Sequence, residues 1–378
     1  MNSASGHKSH RGMRFFLSSE GWPYMLVPMI PLAVILDFGG GGTATLIFIT
    51  AAIGLVPAAA IMGRATEELA ARSGPGIGGL LNVTFGNFPE LVIAGIALNA
   101  GLHEVVKASI VGSVIGNILL VMGAAMLVGG IGRERQKFNA TAAQIQSSML
   151  FLALAALMMP AVFELVEGQG LPLPNAEIIN YDSTVEKLSA ITAGILLLSY
   201  IGGLIFSLRT HRALFNPVEG EKEEFSWTVR KSIGVLAAAS IVVGLMSEIL
   251  VGSIEEASHA IGLSEFFVGA FVVAIVGNAA EHWVAVLVAH KDKMDLAVNI
   301  SIGSSAQIAL FVAPLLVLGS FFIGPHPMPL VFNGFEIAGL VIAVITAQIL
   351  TSDGESTWFE GVQLLALYAV IGTAFYFA

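Results

Sequence analysis

The sequence has no cysteine and very little charge. Only 12% of its 378 residues are charged, whereas 56% are hydrophobic. The absence of thiols excludes disulfides and thiolate metal sites. A soluble globular domain carries roughly 25% charged residues, so this chain has too little polar surface to stay in water. On such a chain, the formal net charge of −10 gives no ground for a nucleic-acid partner.

Long apolar runs are the main feature of the sequence. Several exceed the roughly 18 to 20 residues that a helix needs to cross a bilayer. They are continuous rather than alternating, which disfavours a membrane β-barrel. We predict an all-α polytopic membrane protein, embedded in a lipid bilayer, with about eleven transmembrane helices. Their predicted cores are 22–38, 44–63, 77–98, 105–129, 146–166, 188–208, 231–253, 266–290, 294–323, 331–351 and 359–377.

The basic residues predict which loops are cytoplasmic. With the N-terminus inside, 15 of the 17 Lys and Arg residues fall in cytoplasmic segments, and the exceptions are Lys107 and Lys187. One further loop should be cytoplasmic but has no Lys or Arg, and it reads LTSDGESTWFEG. This topology places the C-terminus outside. The short loops and compact size favour a prokaryotic inner membrane.

Two blocks of the chain align without gaps when the sequence is shifted by 191 residues, and each begins with the pattern Gly-Asn-x-x-Glu. The matched residues are Gly86 with Gly277, Asn87 with Asn278, Glu90 with Glu281, Gly112 with Gly303, and Ser113 with Ser304. Five predicted spans separate the copies, and an odd number inverts the second copy relative to the first. Inverted repeats are a building plan of secondary transporters, with substrate sites near the midplane.

The repeat divides the chain into five predicted parts. They are a cytoplasmic tail (1–21), a first helix and loop (22–43), a first five-helix repeat (44–208), a cytoplasmic linker (209–230) and a second five-helix repeat (231–378). The tail is polar and shows no cleavable signal pattern. No feature decides the oligomeric state, and a homo-oligomer is left open.

Glu90 and Glu281 lie inside predicted spans, several residues from their ends. An ionised carboxylate in hydrocarbon costs at least about 2.5 kcal/mol, so each must face protein, water or an ion. Lys107 is the one cation predicted within the spans, and it cannot neutralise two sites. Intramembrane acids of this kind are functional by default. We therefore predict that both glutamates bind a cation.

Glycines and neutral oxygens surround the two glutamates. Glycine permits unusual backbone angles and close approach, and Pro89 removes a backbone donor. The predicted ion- and proton-binding residues, besides the glutamates, are Gly86, Asn87, Ser113, Asn117, Gly277, Asn278, Ser304, Ser305 and Gln307. His282 and Pro89 are candidates for selectivity or gating. All-oxygen ligation suits Ca²⁺, and the nearby imidazole keeps Mn²⁺ open.

The same carboxylates can also bind protons, and a protonated acid is a poor Ca²⁺ ligand. One Ca²⁺ or two protons would neutralise the pair, whereas the empty pair carries two negative charges that are costly to bury. This predicts an antiporter that needs no cofactor, with Ca²⁺ as transported substrate. An enzyme is not expected, because no nucleotide loop or HExxH motif accompanies the carboxylates. A Na⁺/Ca²⁺ exchanger, a Mn²⁺/H⁺ exchanger and a cation channel remain alternatives.

Several segments, some of them overlapping, resemble the cation/proton exchanger family of Ca²⁺/cation antiporters. They read ATEELAARSGPGIGGLLNVTFGN, the two GNxxE blocks, LVGSIEEASHAIGLSEFFVGAFVVAIVGNAAEH and KDKMDLAVNISIGSSAQIALFVAPLLVLG. The resemblance covers nearly the whole chain after the N-terminal tail. It implies eleven helices and Ca²⁺/H⁺ antiport, with Glu90 and Glu281 binding both cation and protons. Family motif positions are matched by Asn87, Asn278, His282, Ser304, Ser305 and Gln307.

The chain also departs from the family pattern. The first block usually reads GNAVE, where this chain has Phe88 and Pro89, and a proline usually precedes the second block, where this chain has Ala274. These departures predict that the helix breaks sit differently in the two halves. The linker is short, whereas family members often carry there an acidic helix that senses cytosolic Ca²⁺. Its acidic run is either a remnant of that helix or simply a solvated charged face; the run consists of Glu219, Glu221, Glu223 and Glu224.

Overall fold

The computed structural model describes residues 21–73, 78, 80, 81, 84–174, 183–211 and 227–378. Most of the predicted N-terminal tail lies outside the described residues. So does most of the predicted linker, including its acidic run.

The described chain is built almost entirely from helices, which we label in chain order. They are α1 (Trp22–Phe38), α2 (Ala44–Arg72), α3 (Phe88–Asn99), α4 (His103–Gly130), α5 (Ala140–Val166), α6 (Ser183–Thr210), α7 (Val229–Ile261), α8 (Glu265–Gly277), α9 (Ala279–His290), α10 (Met294–Gly319), α11 (Gly334–Leu350) and α12 (Trp358–Tyr376). Four of them contain a wider π-helical stretch, at Gly116–Val121, Phe206–Thr210, Val268–Val273 and Ile308–Val312.

Seven of the helices in the described ranges are long and apolar enough to cross a membrane, namely α2, α4, α5, α6, α7, α10 and α12. Helices α8 and α9 are long and apolar enough only when taken together, and they are bent by 60° at the break between them. Helices α1, α3 and α11 are shorter apolar helices. These lengths confirm the prediction of an all-α protein with many apolar spans.

Local sequence sets where several helices begin. The side chains of Thr43, Asn139 and Thr228 each accept a hydrogen bond from the first turn of α2, α5 and α7, the usual role of such residues at an N-cap. Helices α11 and α12 each begin with a complete capping box, formed by Asn333 with Glu336 and by Thr357 with Glu360. In a capping box the two residues satisfy each other's backbone donors.

Helices α4 and α10 form the centre of the molecule. The most apolar stretch of α4 is 83% buried and that of α10 is 78% buried, whereas the values for α6 and α12 are only 22%. The π-helical stretches of α4 and α10 occupy nearly equivalent positions under the 191-residue shift, at the ends of the two aligned blocks. Such stretches inside α-helices occur often at functional sites.

Gly112, one of the anchors of the sequence repeat, lies where α4 crosses α8. A Cβ atom at this position would collide with the backbone of Ala270. The two helix backbones therefore touch directly, as small residues allow in membrane helix pairs.

Two short strands join loops that are far apart in the sequence. Strand β1 (Gln136–Lys137) pairs antiparallel with β2 (Glu355–Ser356). Arg135 Nη1 lies 2.6 Å from Glu355 Oε2, and Lys137 Nζ lies 3.8 Å from Glu355 Oε1. The hydrogen bond and charge of Glu355 raise the pKa of Arg135 above its usual value. The loop without Lys or Arg is therefore the ionic partner of a basic loop, which explains its composition.

Candidate ion-binding site

Both Gly-Asn-x-x-Glu motifs interrupt a helix at the asparagine. Asn87 has φ −94° and ψ 14°, and Asn278 has φ −100° and ψ 2°, so each leaves helical geometry before a new helix begins. The expectation that the breaks would sit differently in the two halves is wrong. Pro89 lies in the first turn of α3, where a missing backbone donor costs nothing. It therefore does not move the break.

Each break glycine contacts the glutamate of the other half. A Cβ atom on Gly86 would lie 3.2 Å from Glu281 Oε1, and one on Gly277 would lie 3.3 Å from Glu90 Cγ. Neither glycine has a positive φ. The sequence suggested two reasons for glycine at these positions, unusual backbone angles and close approach. Close approach is therefore the reason that applies here. The arrangement brings both carboxylates to the place where the two halves meet.

Two hydrogen bonds between amide or hydroxyl side chains connect the halves at this point. Asn87 Nδ2 donates to Gln307 Oε1 at 2.6 Å, and Asn278 Nδ2 donates to Ser113 Oγ at 3.1 Å. Asn278 Nδ2 also donates to the carbonyl of Ala274 at 2.9 Å, one turn earlier in α8. The break asparagines are thus fixed by α10 and α4, the two most buried helices.

Ser304 lies directly on one carboxylate, since its hydroxyl donates to Glu281 Oε2 at 3.1 Å. His282 is placed by Asn117, whose Oδ1 lies 3.1 Å from His282 Nε2. Ser305 is fully buried, but its hydroxyl donates to the carbonyl of Ser301 in its own helix. Every predicted polar residue except Ser305 therefore contacts another predicted site residue, either through a side-chain hydrogen bond or at a break glycine.

The cluster contains buried acceptor atoms that receive no hydrogen bond. Among the described residues, Glu90 Oε2 and Asn278 Oδ1 are buried and face no donor. Lys107 does not reach them, because it is held by Glu104 and by the carbonyl of Val331. Within the described ranges no group of three His, Asp or Glu residues assembles. An ion here would be held by two carboxylates and neutral oxygens, which is the donor set that hard cations prefer.

Glu67 is a neighbour that the sequence reasoning missed. It is exposed near the end of α2, and its charge acts on the Glu281 carboxylate. The pair Glu67–Glu68 was the available signal, but it lies in the charged last part of α2, where a solvated role is equally natural. The approach of α2 to the site is visible only in the fold.

The helical bundle, with a polar cluster of two carboxylates where its halves meet, has the architecture of an integral membrane ion transporter. A sequence model of the sodium/calcium exchanger protein family matches residues 43–209 and 231–377. The chain belongs to that family, and within it to the cation/proton exchangers, which confirms the resemblance found in the sequence.

Individual relatives are similar over almost their full length. The Ca²⁺/H⁺ antiporter of Aphanothece halophytica is 43% identical over 349 residues, which cover 88% of this chain and 90% of that protein. The Ca²⁺/H⁺ antiporter ChaA of Bacillus subtilis is 43% identical over 352 residues, covering 92% and 96%. The solved structure of native YfkE is 38% identical with a TM-score of 0.79, and the match covers 94% of this chain and all of that one.

Proposed function

We propose that the protein is a secondary antiporter that exchanges Ca²⁺ for H⁺ across a membrane by alternating access. The relatives that carry the name Ca²⁺/H⁺ antiporter support this, since they match nearly the whole chain. In this proposal Ca²⁺ and protons bind competitively to Glu90 and Glu281. No cofactor or enzymatic step takes part.

The proposal rests on one observation, which is that each of the two glutamates lies against the other half of the protein. Each carboxylate lies against the break glycine of the opposite half, and the charge of Glu281 acts on Glu90. Two buried like charges without a cation are costly, because desolvation adds to their repulsion. One Ca²⁺ or two protons neutralise the pair. A loaded site can therefore switch its access from one side of the membrane to the other, whereas the empty site is hindered by the cost of burying two negative charges.

The surrounding residues have distinct parts in this proposal. Asn87, Asn278 and Gln307 hold the broken helices in place and offer amide oxygens, and Ser113 and Ser304 offer hydroxyl oxygens. Ser305 supports the α10 backbone beside the site. His282, with its ring held by Asn117, directly follows Glu281 in the chain and adjusts which cation is preferred.

We further propose the topology that the sequence predicted. The eleven spans would be α1, α2, α3 with the helical residues before it, α4 to α7, α8 with α9, and α10 to α12. The spans after α1 would form two inverted repeats of five, divided at 209–230. The pairing of β1 with β2 supports this, because it puts two loops of predicted cytoplasmic location on one side. The N-terminus would then be cytoplasmic, in a prokaryotic inner membrane.

The proposal is tested by ⁴⁵Ca²⁺ uptake into proteoliposomes with an acid interior. Wild type, Glu281→Gln and Glu90→Gln are compared with Glu256→Gln, an exposed acid on α7 that serves as matched control. Uptake should require the pH gradient, collapse with an uncoupler, and be lost in both site variants but not in the control.

Other outcomes separate the alternatives. Uptake driven by a Na⁺ gradient and indifferent to pH would replace the proposal with Na⁺/Ca²⁺ exchange. Uptake that follows the Ca²⁺ gradient alone would indicate a channel. Stronger proton-coupled transport of Mn²⁺ than of Ca²⁺ would make Mn²⁺ the substrate, in keeping with the imidazole of His282.

A further inference from the structure

A second set of ionisable groups is buried at the end of α4 remote from β1. Lys107 is only 2% exposed, and its Nζ lies 2.5 Å from Glu104 Oε1. The same Nζ donates to the carbonyl of Val331 at 3.0 Å. Lys107 lies six residues before Ser113 on α4, about 9 Å along the helix axis. The group is therefore separate from the central cluster.

Glu336 completes this group from the start of α11. Its side chain is fully buried. Oε2 accepts the backbone N–H of Asn333 at 2.8 Å, as part of the capping box. No donor among the described residues reaches Oε1, which is also buried. A carboxylate there would keep one oxygen without any hydrogen bond, and burying an ionised group in that condition is strongly unfavourable.

The charges around Glu336 do not balance if all three groups ionise. Lys107 and Glu104, both on α4, are the charged residues whose fields act on this carboxyl. One positive and two negative charges leave one negative charge in a buried place. Helices α5 and α12 also pack near α11; Glu164 is the buried acid of α5, and Glu360 lies at the opposite end of the bundle, where α12 begins. A single proton makes the trio neutral.

The proton belongs on Glu336 rather than on Glu104. Glu104 already has the ammonium group of Lys107 at 2.5 Å, which stabilises its ionised form. Glu336 has only one backbone donor and the N-terminus of α11. That helix end favours a negative charge, but it supplies no donor to Oε1. Protonation removes the charge while leaving Oε2 free to accept from Asn333.

One residue of this group, Glu104, borders a cavity of about 430 Å³, which is also lined by His103, His259 and Glu265. Its walls come from the α3–α4 and α7–α8 turns, which the proposed topology puts on the outer face. Glu104 thus stands between the cavity and Lys107.

We propose that Glu336 holds a proton and forms a second proton-binding site, distinct from Glu90 and Glu281, which exchanges with the outer solution through Glu104 and the adjoining cavity. The trio of Glu104, Lys107 and Glu336 is neutral while this proton is bound. Loss of the proton would create a second carboxylate that competes for Lys107. The contact from Lys107 to Val331, which ties the loop before α11 to α4, would then weaken.

Infrared difference spectroscopy of the full chain in lipid bilayers tests the proposal, through the carbonyl stretch of protonated carboxyl groups. Wild type, Glu336→Gln and Glu360→Gln are compared at neutral pH. Glu360 is the matched control, since it occupies the same capping-box position without a buried lysine. We expect the wild type to show a protonated-carboxyl band that Glu336→Gln removes and Glu360→Gln keeps. When H₂O is replaced by D₂O, the band should shift as the proton exchanges. This shift should be several-fold slower in Glu104→Gln than in the wild type.

A Glu336→Gln spectrum identical to that of the wild type would overturn the proposal. If that variant does not fold, Glu336→Asp takes its place, because it keeps a protonatable group and should shift the band. An unshifted band in Glu336→Asp would also overturn the proposal. Exchange in D₂O that is unchanged in Glu104→Gln would refute the route. The difference between wild type and variant reports on residue 336 whatever ion the central site transports, so this proposal can fail while Ca²⁺/H⁺ exchange stands, or the reverse.

Discussion

Replacing Gly86 by alanine should weaken Ca²⁺ binding without unfolding the protein. The added methyl carbon would lie 3.2 Å from Glu281 Oε1, about 0.3 Å inside ordinary van der Waals contact. Overpacking costs about 1 to 3 kcal/mol. A carboxylate can yield by a few tenths of an ångström, so the lower end applies. About 1 kcal/mol corresponds to roughly a fivefold loss of Ca²⁺ affinity.

The matched control is Gly95→Ala, on the same helix as Glu90. A Cβ atom there meets nothing within 4 Å, and alanine favours a helix over glycine by up to about 1 kcal/mol. Apparent Ca²⁺ affinity is read from the concentration dependence of ⁴⁵Ca²⁺ uptake, and folding from thermal unfolding in detergent. Gly86→Ala should bind more weakly with a near-normal unfolding temperature. Equal affinities in the two variants would refute the reasoning that close approach to Glu281 is what requires glycine.

Four further predictions follow from the same contacts. Ca²⁺ affinity should rise with pH by up to about tenfold per unit for each proton displaced, and a binding titration across neutral pH should show a shallower dependence in Glu281→Gln. His282→Gln should keep Ca²⁺ uptake but reduce competition by Mn²⁺ several-fold in the same assay, because it removes the imidazole nitrogen. Gly112→Ala should sharply reduce the yield of folded protein on size-exclusion chromatography, since its methyl group collides with the backbone of Ala270, whereas Gly116→Ala meets nothing within 4 Å and should behave like the wild type. Because the chain has no cysteine, the double variant Gln136→Cys with Ser356→Cys should form an intramolecular disulfide on mild oxidation, seen as a gel-mobility shift; failure to cross-link would contradict the pairing of β1 with β2.

The sequence predicted the class of fold and most of the central cluster for a simple physical reason. Charged residues are costly inside apolar spans, so Glu90 and Glu281 stand out without any three-dimensional information. The equal spacing of Asn87 and Asn278 before them marked the two segments as equivalent, although the helix breaks were expected at different places in the two halves. These signals are local, and they depend only on the solvent being a bilayer.

Contacts between distant segments could not be predicted in the same way. Nothing local indicates that Gly86 lies on Glu281, that Gln307 accepts from Asn87, or that Asn117 fixes His282. The breaks also sit at equivalent places although Phe88–Pro89 replaces the usual residues, because proline is tolerated in the first turn of a helix. Lys107 was noticed in the sequence as a lone buried cation, but its partners come from Glu104, three residues before it, and from Val331, far along the chain.

The short ladder between β1 and β2 has a mechanical consequence. It ties the α4–α5 loop to the α11–α12 loop at one face of the bundle, and hydrogen-bonded backbone cannot stretch appreciably. While the ladder stays paired, the two loops keep their separation. A rotation of one segment relative to the other therefore produces its smallest displacement at the ladder. In such a motion the end of α4 that carries Lys107 would be displaced more than the end beside the ladder.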